Sequence, residues 1–350
     1  MSNVKILFLI DTLTDYNYTF FDKISKFYQI KVLIINKRKY ENYDFNFPKR
    51  NYTYFIESQV NKKEKLNKII SNFKPNKIVF CGYRLKYINY IKDITKSSNL
   101  KYFYWLERID SNNKLKCFLL GILFKFILKN IDGIFAIGQE AKYYYSKFNK
   151  KVFNIPYSIH IPKIKNKKLQ SKKLKFLFVG QLIDRKGIDV IIKSLKEFTI
   201  EQSNYFEFTF IGNGKYQKKI QNLTNELKFV KYKKFLNPKK LLNYFKDSHV
   251  LIFPSRFDGW GVVPLQAMAH SMFVVLGNNC GVKEVIKPIG KNILININQK
   301  ELSQTIKYIL NNKISIINQG RSNYNIIKNS ICNVDKSVKL INKVLDNIKK

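Results

Sequence analysis

The chain has 350 residues, with 64 Lys and Arg against 24 Asp and Glu, for a formal net charge of +40. At 45% hydrophobic and 15% aromatic residues, the composition excludes a disordered chain and gives enough length for two domains, each with its own core. Cys81, Cys117, Cys280 and Cys332 are scattered, without the spacing of a disulfide framework or a zinc site, which fits a reducing cytoplasm.

A field of this sign concentrates anions: nucleic acid, acidic lipid surfaces and sugar nucleotides alike. Lysine is spread along the whole chain beside abundant Asn, Ile, Tyr and Phe, the pattern of a general compositional bias. Because the bases form no stripe or tail and no recognisable binding motif, no specific nucleic-acid partner is expected. No apolar run reaches the roughly 18 residues that span a bilayer, and the opening Val4 to Ile10 has a strand's pattern, not a signal peptide's. The expected placement is cytoplasmic, with peripheral attachment to the cytoplasmic face of the inner membrane as the further expectation.

Residues 1–160 alternate short apolar runs with helical patterns. Strands are expected over 4–10, 31–35, 77–81, 101–105, 133–137 and 152–155, and helices over 62–73 and 139–148. Short β-branched runs alternating with helices imply a parallel sheet covered on both faces, whose ligands sit beyond the carboxyl ends of the strands. The loop after the first strand, Asp11-Thr12-Leu13-Thr14-Asp15-Tyr16-Asn17-Tyr18, is polar and aromatic without glycine. After the fourth comes Trp105-Leu106-Glu107-Arg108, where Glu107 is either an ion-paired loop residue or a group that orients or deprotonates a substrate hydroxyl. The stretch 114–129 is apolar at Cys117 to Phe124 and flanked by Lys114, Lys116, Lys125 and Lys129. Two readings stand for it: a helix in a membrane interface with lysines on acidic headgroups, or a buried crossover helix.

Residues 161–173, rich in Lys and Pro, have no apolar period and form the expected linker. A strand over 174–179 then ends in Gly180, and Arg185-Lys186-Gly187 precedes a helix. The glycine avoids crowding and the adjacent bases neutralise charge, as a diphosphate requires. The next strand, 206–211, ends in Gly212-Asn213-Gly214, a weaker signal that a tight turn also explains. A strand over 250–253 then leads into a Pro-Ser turn, an Asp258-Gly259-Trp260-Gly261 loop and a helix with Pro264 near its first turn, the stretch closing at Ser271. The first N–H groups of such a helix are unpaired and carry the positive end of its dipole, so they attract phosphate. Asp258 and Gln266 are placed to address hydroxyls. A further strand over 272–276, a glycine-bounded loop with Glu284, and helices over 298–350 complete the chain, and His160, His249 and His270 are isolated.

The window from Pro254 to Ala269 resembles the donor-site signature of retaining GT-B glycosyltransferases of the family 4 type: Pro-Ser, an acid, Gly-aromatic-Gly and a second acid before Ala-Met-Ala. The resemblance implies an α/β fold of GT-B architecture, two facing Rossmann-like domains with a cleft between them. The expected division is an acceptor-binding domain over 1–160, the linker, a nucleotide-sugar domain over 174–335, and a last helix over 336–350 packing back on the first domain. It further implies a metal-independent transferase of hexosyltransferase type, with no cofactor beyond a nucleoside diphosphate sugar as donor. Arg185, Lys186 and Asp258 would be catalytic. Gly180, Gly212, Gly214, Phe235, Gly259, Trp260, Gly261, Val262 and Gln266 would bind the donor, Phe235 lying where relatives hold the base. Asp11, Tyr16, Tyr18 and Glu107 would address a saccharide or glycolipid acceptor of surface polysaccharide or lipopolysaccharide synthesis. Gln266 departs from the signature, in which a glutamate holds the ribose, and the glycine-free first loop is a second departure. Both leave open a nucleotide-sugar-binding protein without turnover, and the charge leaves a nucleic-acid binder as a third reading.

Overall fold

The computed structural model describes residues 4–10, 14–34, 52–56, 62–82, 91, 93, 99–110, 114–163, 172–286 and 292–347. The chain divides into two compact units, Met1–His160 with Val334–Lys350, and Ile161–Asn333.

The first unit is built on seven parallel strands: β1 (Lys5–Ile10), β2 (Gln29–Ile34), β3 (Thr53–Ile56), β4 (Lys77–Cys81), β5 (Lys101–Glu107), β6 (Gly133–Ile137) and β7 (Val152–Asn154), in the order β3-β2-β1-β4-β5-β6-β7. Ile6 to Ile10 are all buried, as a parallel sheet covered on both faces demands. Helices α1 (Asp15–Ile24), α2 (Lys62–Phe73), α3 (Lys114–Ile127) and α4 (Gln139–Tyr145) connect the strands. Thr14 caps α1 by accepting from Asn17 N, and Asp15 adds charge of the right sign to its first turn. The final helix of the chain, Val334–Asn347, belongs to this unit. It buries Val338, Ile341 and Leu345 and joins α1 through the Lys23–Asp335 ion pair at 2.7 Å.

The second unit has six parallel strands: β8 (Leu174–Val179), β9 (Phe206–Ile211), β10 (Val230–Lys233), β11 (Val250–Phe253), β12 (Phe273–Gly277) and β13 (Ile293–Ile295), in the order β10-β9-β8-β11-β12-β13. Its helices include α5 (Ile188–Leu195), α6 (Ile200–Ser203), α7 (Gln217–Glu226), α8 (Pro238–Asp247) and α9 (Val262–Ala269), followed by Lys283–Ile286, Gln299–Asn311 and Lys313–Asn329. A Phe cluster from β8 and β9 (Phe176, Phe178, Phe206, Phe208, Phe210) fills the core with Ile188, Ile191 and Leu195 of α5. The strand order reverses between β8 and β11, the switch point beyond whose carboxyl ends ligands of such sheets bind.

The structure departs from the sequence expectation at identifiable places. Strands β3 and β13 were not foreseen; both are short and lie at sheet edges, where little apolar length is needed. Strand β5 runs two residues further, so Trp105, Leu106 and Glu107 are strand residues and not a loop. Helix α3 divides the two readings of its sequence: Phe124 is buried in the core with Leu120 and Ile127 packed beside it, while Leu115, Phe118, Leu119, Ile122, Leu123 and Phe126 are exposed.

Candidate functional site

Four loops at the carboxyl ends of strands in the second unit are bonded into one rim. The loop after β8 meets that after β9 through Gly180 N to Ile211 O (3.0 Å) and Leu182 N to Asn213 O (2.9 Å). The Gly212–Gly214 turn meets the end of β10 through Gly212 N to Lys233 O (3.1 Å), and Asn213 Oδ1 accepts from Phe235 N (3.2 Å). Gly212 has φ +148°, and a Cβ there would lie 1.9 Å from Gly180 O, so only glycine allows this approach. The loop after β11 pairs with that after β12: Asp258 N donates to Asn279 O (3.2 Å), Gly281 N to Asp258 O (3.1 Å) and Val282 N to Trp260 O (2.8 Å).

The charged centre of the rim lies where β8 and β11 end. Residues Asp184–Lys186 form one 3-10 turn, closed by Gly187 at φ +71°, whose absent Cβ would stand 2.2 Å from Pro254 O. Arg185 fastens that turn to the β11 loop twice: Arg256 N donates to Arg185 O at 2.8 Å, and Arg185 Nη1 to Phe257 O at 2.8 Å. Lys186 Nζ is ion-paired with Asp258 Oδ2 and lies 4.7 Å from the centre of the Phe253 ring. Two of the three expected catalytic side chains are therefore paired with each other, half-buried. Arg185 is exposed, and one bond to Phe257 O leaves the rest of its five-donor fork for a ligand.

Helix α9 starts beside Asp258. Its N-cap is Gly261 at φ +101°, with no side chain to cap the first turn, so the helix end keeps its attraction for anions. Gln266 lies in the second turn, half-buried; its carbonyl bonds His270 Nδ1 at 2.7 Å. Trp260 is 1% exposed, and its Nε1 is buried with no partner among the described residues. The indole lies under the loop, so contact with a ligand there falls to the backbone of Gly259 to Val262.

An outer layer of charge was not foreseen from the sequence. Arg256 grips Asp189 with two bonds of 2.7 Å and donates to Asp184 O at 2.5 Å. These bonds hold the Asp189 carboxyl below the usual carboxylate range and raise Arg256 above its ordinary value. Asp184 is lowered by hydrogen bonds from Lys215 and Tyr216, and the Tyr216 phenol is pushed up to about 12 by donating to it. The only sequence signal was Arg256 two residues before Asp258 and Asp189 in the first turn of α5.

In the first unit, the expected acceptor-side residues separate. Tyr16 and Glu107 both meet Tyr157: the Tyr16 and Tyr157 rings are 5.0 Å apart, and the Tyr157 phenol, raised well above its ordinary value by burial and the neighbouring Glu107 carboxylate, donates to it. The Trp105 ring lies 5.8 Å from Tyr157, and Trp105 Nε1 is fixed by Ile155 O at 2.8 Å. Tyr18 turns instead to Tyr52, with ring centres 6.1 Å apart. Asp11 lies outside the described residues. Neither His249, which accepts from Lys175 N at 3.0 Å, nor His270 adjoins the charged centre.

Residues 161–331, almost the whole second unit, match the family of glycosyl transferases group 1. An uncharacterized glycosyltransferase of Methanocaldococcus jannaschii is 29% identical over 140 residues, 39% of this chain and 38% of that protein. The capsular polysaccharide biosynthesis glycosyltransferase CapH of Staphylococcus aureus is 29% identical over 161 residues, 42% of this chain and 43% of its own. The chain thus spans less than half the length of these two relatives. The crystal structure of Anabaena HepE in complex with UDP-glucose matches with a TM-score of 0.75 at 14% identity, covering 99% of this chain and 100% of that one. That likeness establishes an α/β fold of the GT-B class.

Proposed function

We propose that the protein transfers a hexose from a nucleoside diphosphate sugar to a saccharide or glycolipid acceptor, with retention of configuration, in the synthesis of a surface polysaccharide or lipopolysaccharide. The observation that carries this reading is the fastening of Arg185, Lys186, Asp258 and the uncapped start of α9 to one rim at the β8–β11 reversal. In transfer, the bond between the anomeric carbon and the diphosphate oxygen breaks while the oxygen of an acceptor hydroxyl bonds that carbon and gives its proton to the departing diphosphate. Negative charge then develops on the diphosphate. Arg185 and the first N–H groups of α9 meet it from preset positions, which favours the transition state over the ground state. Lys186, released from Asp258, takes the second diphosphate charge, and Asp258 accepts from sugar hydroxyls. Gln266 holds the ribose, and Phe235, set by Asn213, lies against the base. CapH is a glycosyltransferase of capsular polysaccharide biosynthesis, which supports the acceptor class.

A panel of UDP, GDP, ADP and CMP with their common sugars, screened by thermal shift, tests the reading. One nucleotide family should stabilise the protein, and the Arg185→Ala/Lys186→Ala double variant should weaken that ligand by at least roughly 100-fold, since bonds to charged groups contribute about 1.5–3 kcal/mol each. Turnover with an acceptor separates a transferase from a protein that only binds. No shift from any of the panel would remove the reading.

A further inference from the structure

Helix α3 carries apolar side chains on opposite sides, yet only one side is used by the fold. Phe124 and Leu128 are buried in the core of the first unit, with Leu120 and Ile127 packed against it. On the opposite side, Leu115, Leu119, Ile122 and Phe126 repeat at helical spacing and are exposed, with Phe118 and Leu123 at their flanks; Phe126 reaches 77% exposure and Leu115 69%. Scattered apolar side chains at a surface need no explanation, but six on one stripe do.

We propose that this stripe docks the protein on an anionic bilayer surface, the helix lying in the plane of the interface. The occupant follows from charge. Residues 114–131 contain four lysines and no acid, and Lys125 and Lys129 stand exposed beside the stripe. An acidic headgroup layer complements both the lysines and the apolar side chains, which enter the acyl boundary. A second copy of the chain brings the same lysines and another +40, so like charge opposes that pairing. Crossing the bilayer is excluded for this element by length: 14 residues fall short of the roughly 20 required. The docking surface does not depend on the donor chemistry proposed above.

Flotation of the full-length protein with vesicles of phosphatidylglycerol and phosphatidylcholine, against phosphatidylcholine alone, tests it. Wild type should float with the anionic vesicles. Leu119→Gln/Ile122→Gln/Phe126→Ser should lower the partition coefficient at least about tenfold, while the melting temperature and the nucleotide-induced thermal shift stay at wild-type values. The single change Phe126→Ser should give a smaller fall in the same direction should the triple variant fold poorly. Lys125→Gln/Lys129→Gln should weaken binding most at low salt. Undiminished binding of the folded apolar variants would assign the effect to net charge alone and overturn the proposal. So would wild type failing to float, or a wild-type dimer that the triple variant disperses. A donor screen that fails while flotation succeeds would count against the transferase reading and not against the docking surface.

Discussion

The two units share a strand order, outward from β1 and from β8 in both directions, yet the carboxyl ends of their strands carry different chemistry. In the second unit the rim is glycine and paired charge: Gly187, Gly212, Gly214 and Gly281 let backbones close on one another, and Arg185, Lys186 and Arg256 are each held by a named acceptor. In the first unit the described rim is richer in rings, with Tyr16, Trp105 and Tyr157 beside the Glu107 carboxylate. The difference teaches that topology places the site while loop residues choose the ligand. Backbone amides and cations suit a diphosphate; rings and one carboxylate suit a sugar face and its hydroxyl.

The sharpest way to break the comparison acts on the glycine rim. Gly187→Ala puts a Cβ 2.2 Å from Pro254 O at φ +71°, and should destabilise the protein by ~2 kcal/mol or more, read as a fall in the denaturation midpoint with donor binding weakened in step. A variant as stable as wild type would mean the turn relaxes freely. Glu107→Gln and Tyr157→Phe sharpen the other side: each should lower kcat/KM for acceptor about tenfold and leave the nucleotide thermal shift unchanged. Loss of nucleotide binding in either would erase the distinction between the two rims. Gln266→Glu should tighten donor binding roughly fivefold, because a carboxylate makes a stronger bond to a ribose hydroxyl than an amide does; titration calorimetry that finds equal or weaker binding removes the ribose role.

The smallest expected effect is that of Arg256→Ala, about 1 kcal/mol, since the Arg256–Asp189 pair is partly exposed and screened. Its pH dependence carries the information. Asp189 has a lowered folded-state value, so the stability it contributes is present above the unfolded carboxylate pKa of about 4 and is lost as pH falls through the folded value. Wild type and variant should therefore differ at neutral pH and converge in acid, with Arg256→Lys between them. A gap that persists at low pH would assign the loss to packing.

Much of the fold is legible in the sequence because parallel strands buried on both faces are continuous apolar runs: 77–81, 133–137, 174–179, 206–211 and 250–253 are each read to the residue. The edge strands β3 and β13 escape because four and three residues carry too little pattern. The glycines and the Arg185-Lys186 pair of the rim are visible because each follows a strand. What sequence spacing does not give is pairing across some 70 positions: Lys186 with Asp258, and Arg256 with Asp189. Helix α3 is ambiguous for a related reason, since apolar residues on opposite sides do not say which side the core takes.

Hydrogen exchange on the full-length protein, with and without the nucleoside diphosphate selected by the thermal-shift panel, tests the central claim most directly. The account predicts new protection in peptides covering 180–187, 212–214 and 256–263, with the strand-end segments around Glu107 and Tyr157 unchanged until acceptor is added. Protection centred on Glu107 and Tyr157, or none in the second unit at saturating nucleotide, would contradict the placement of the donor site.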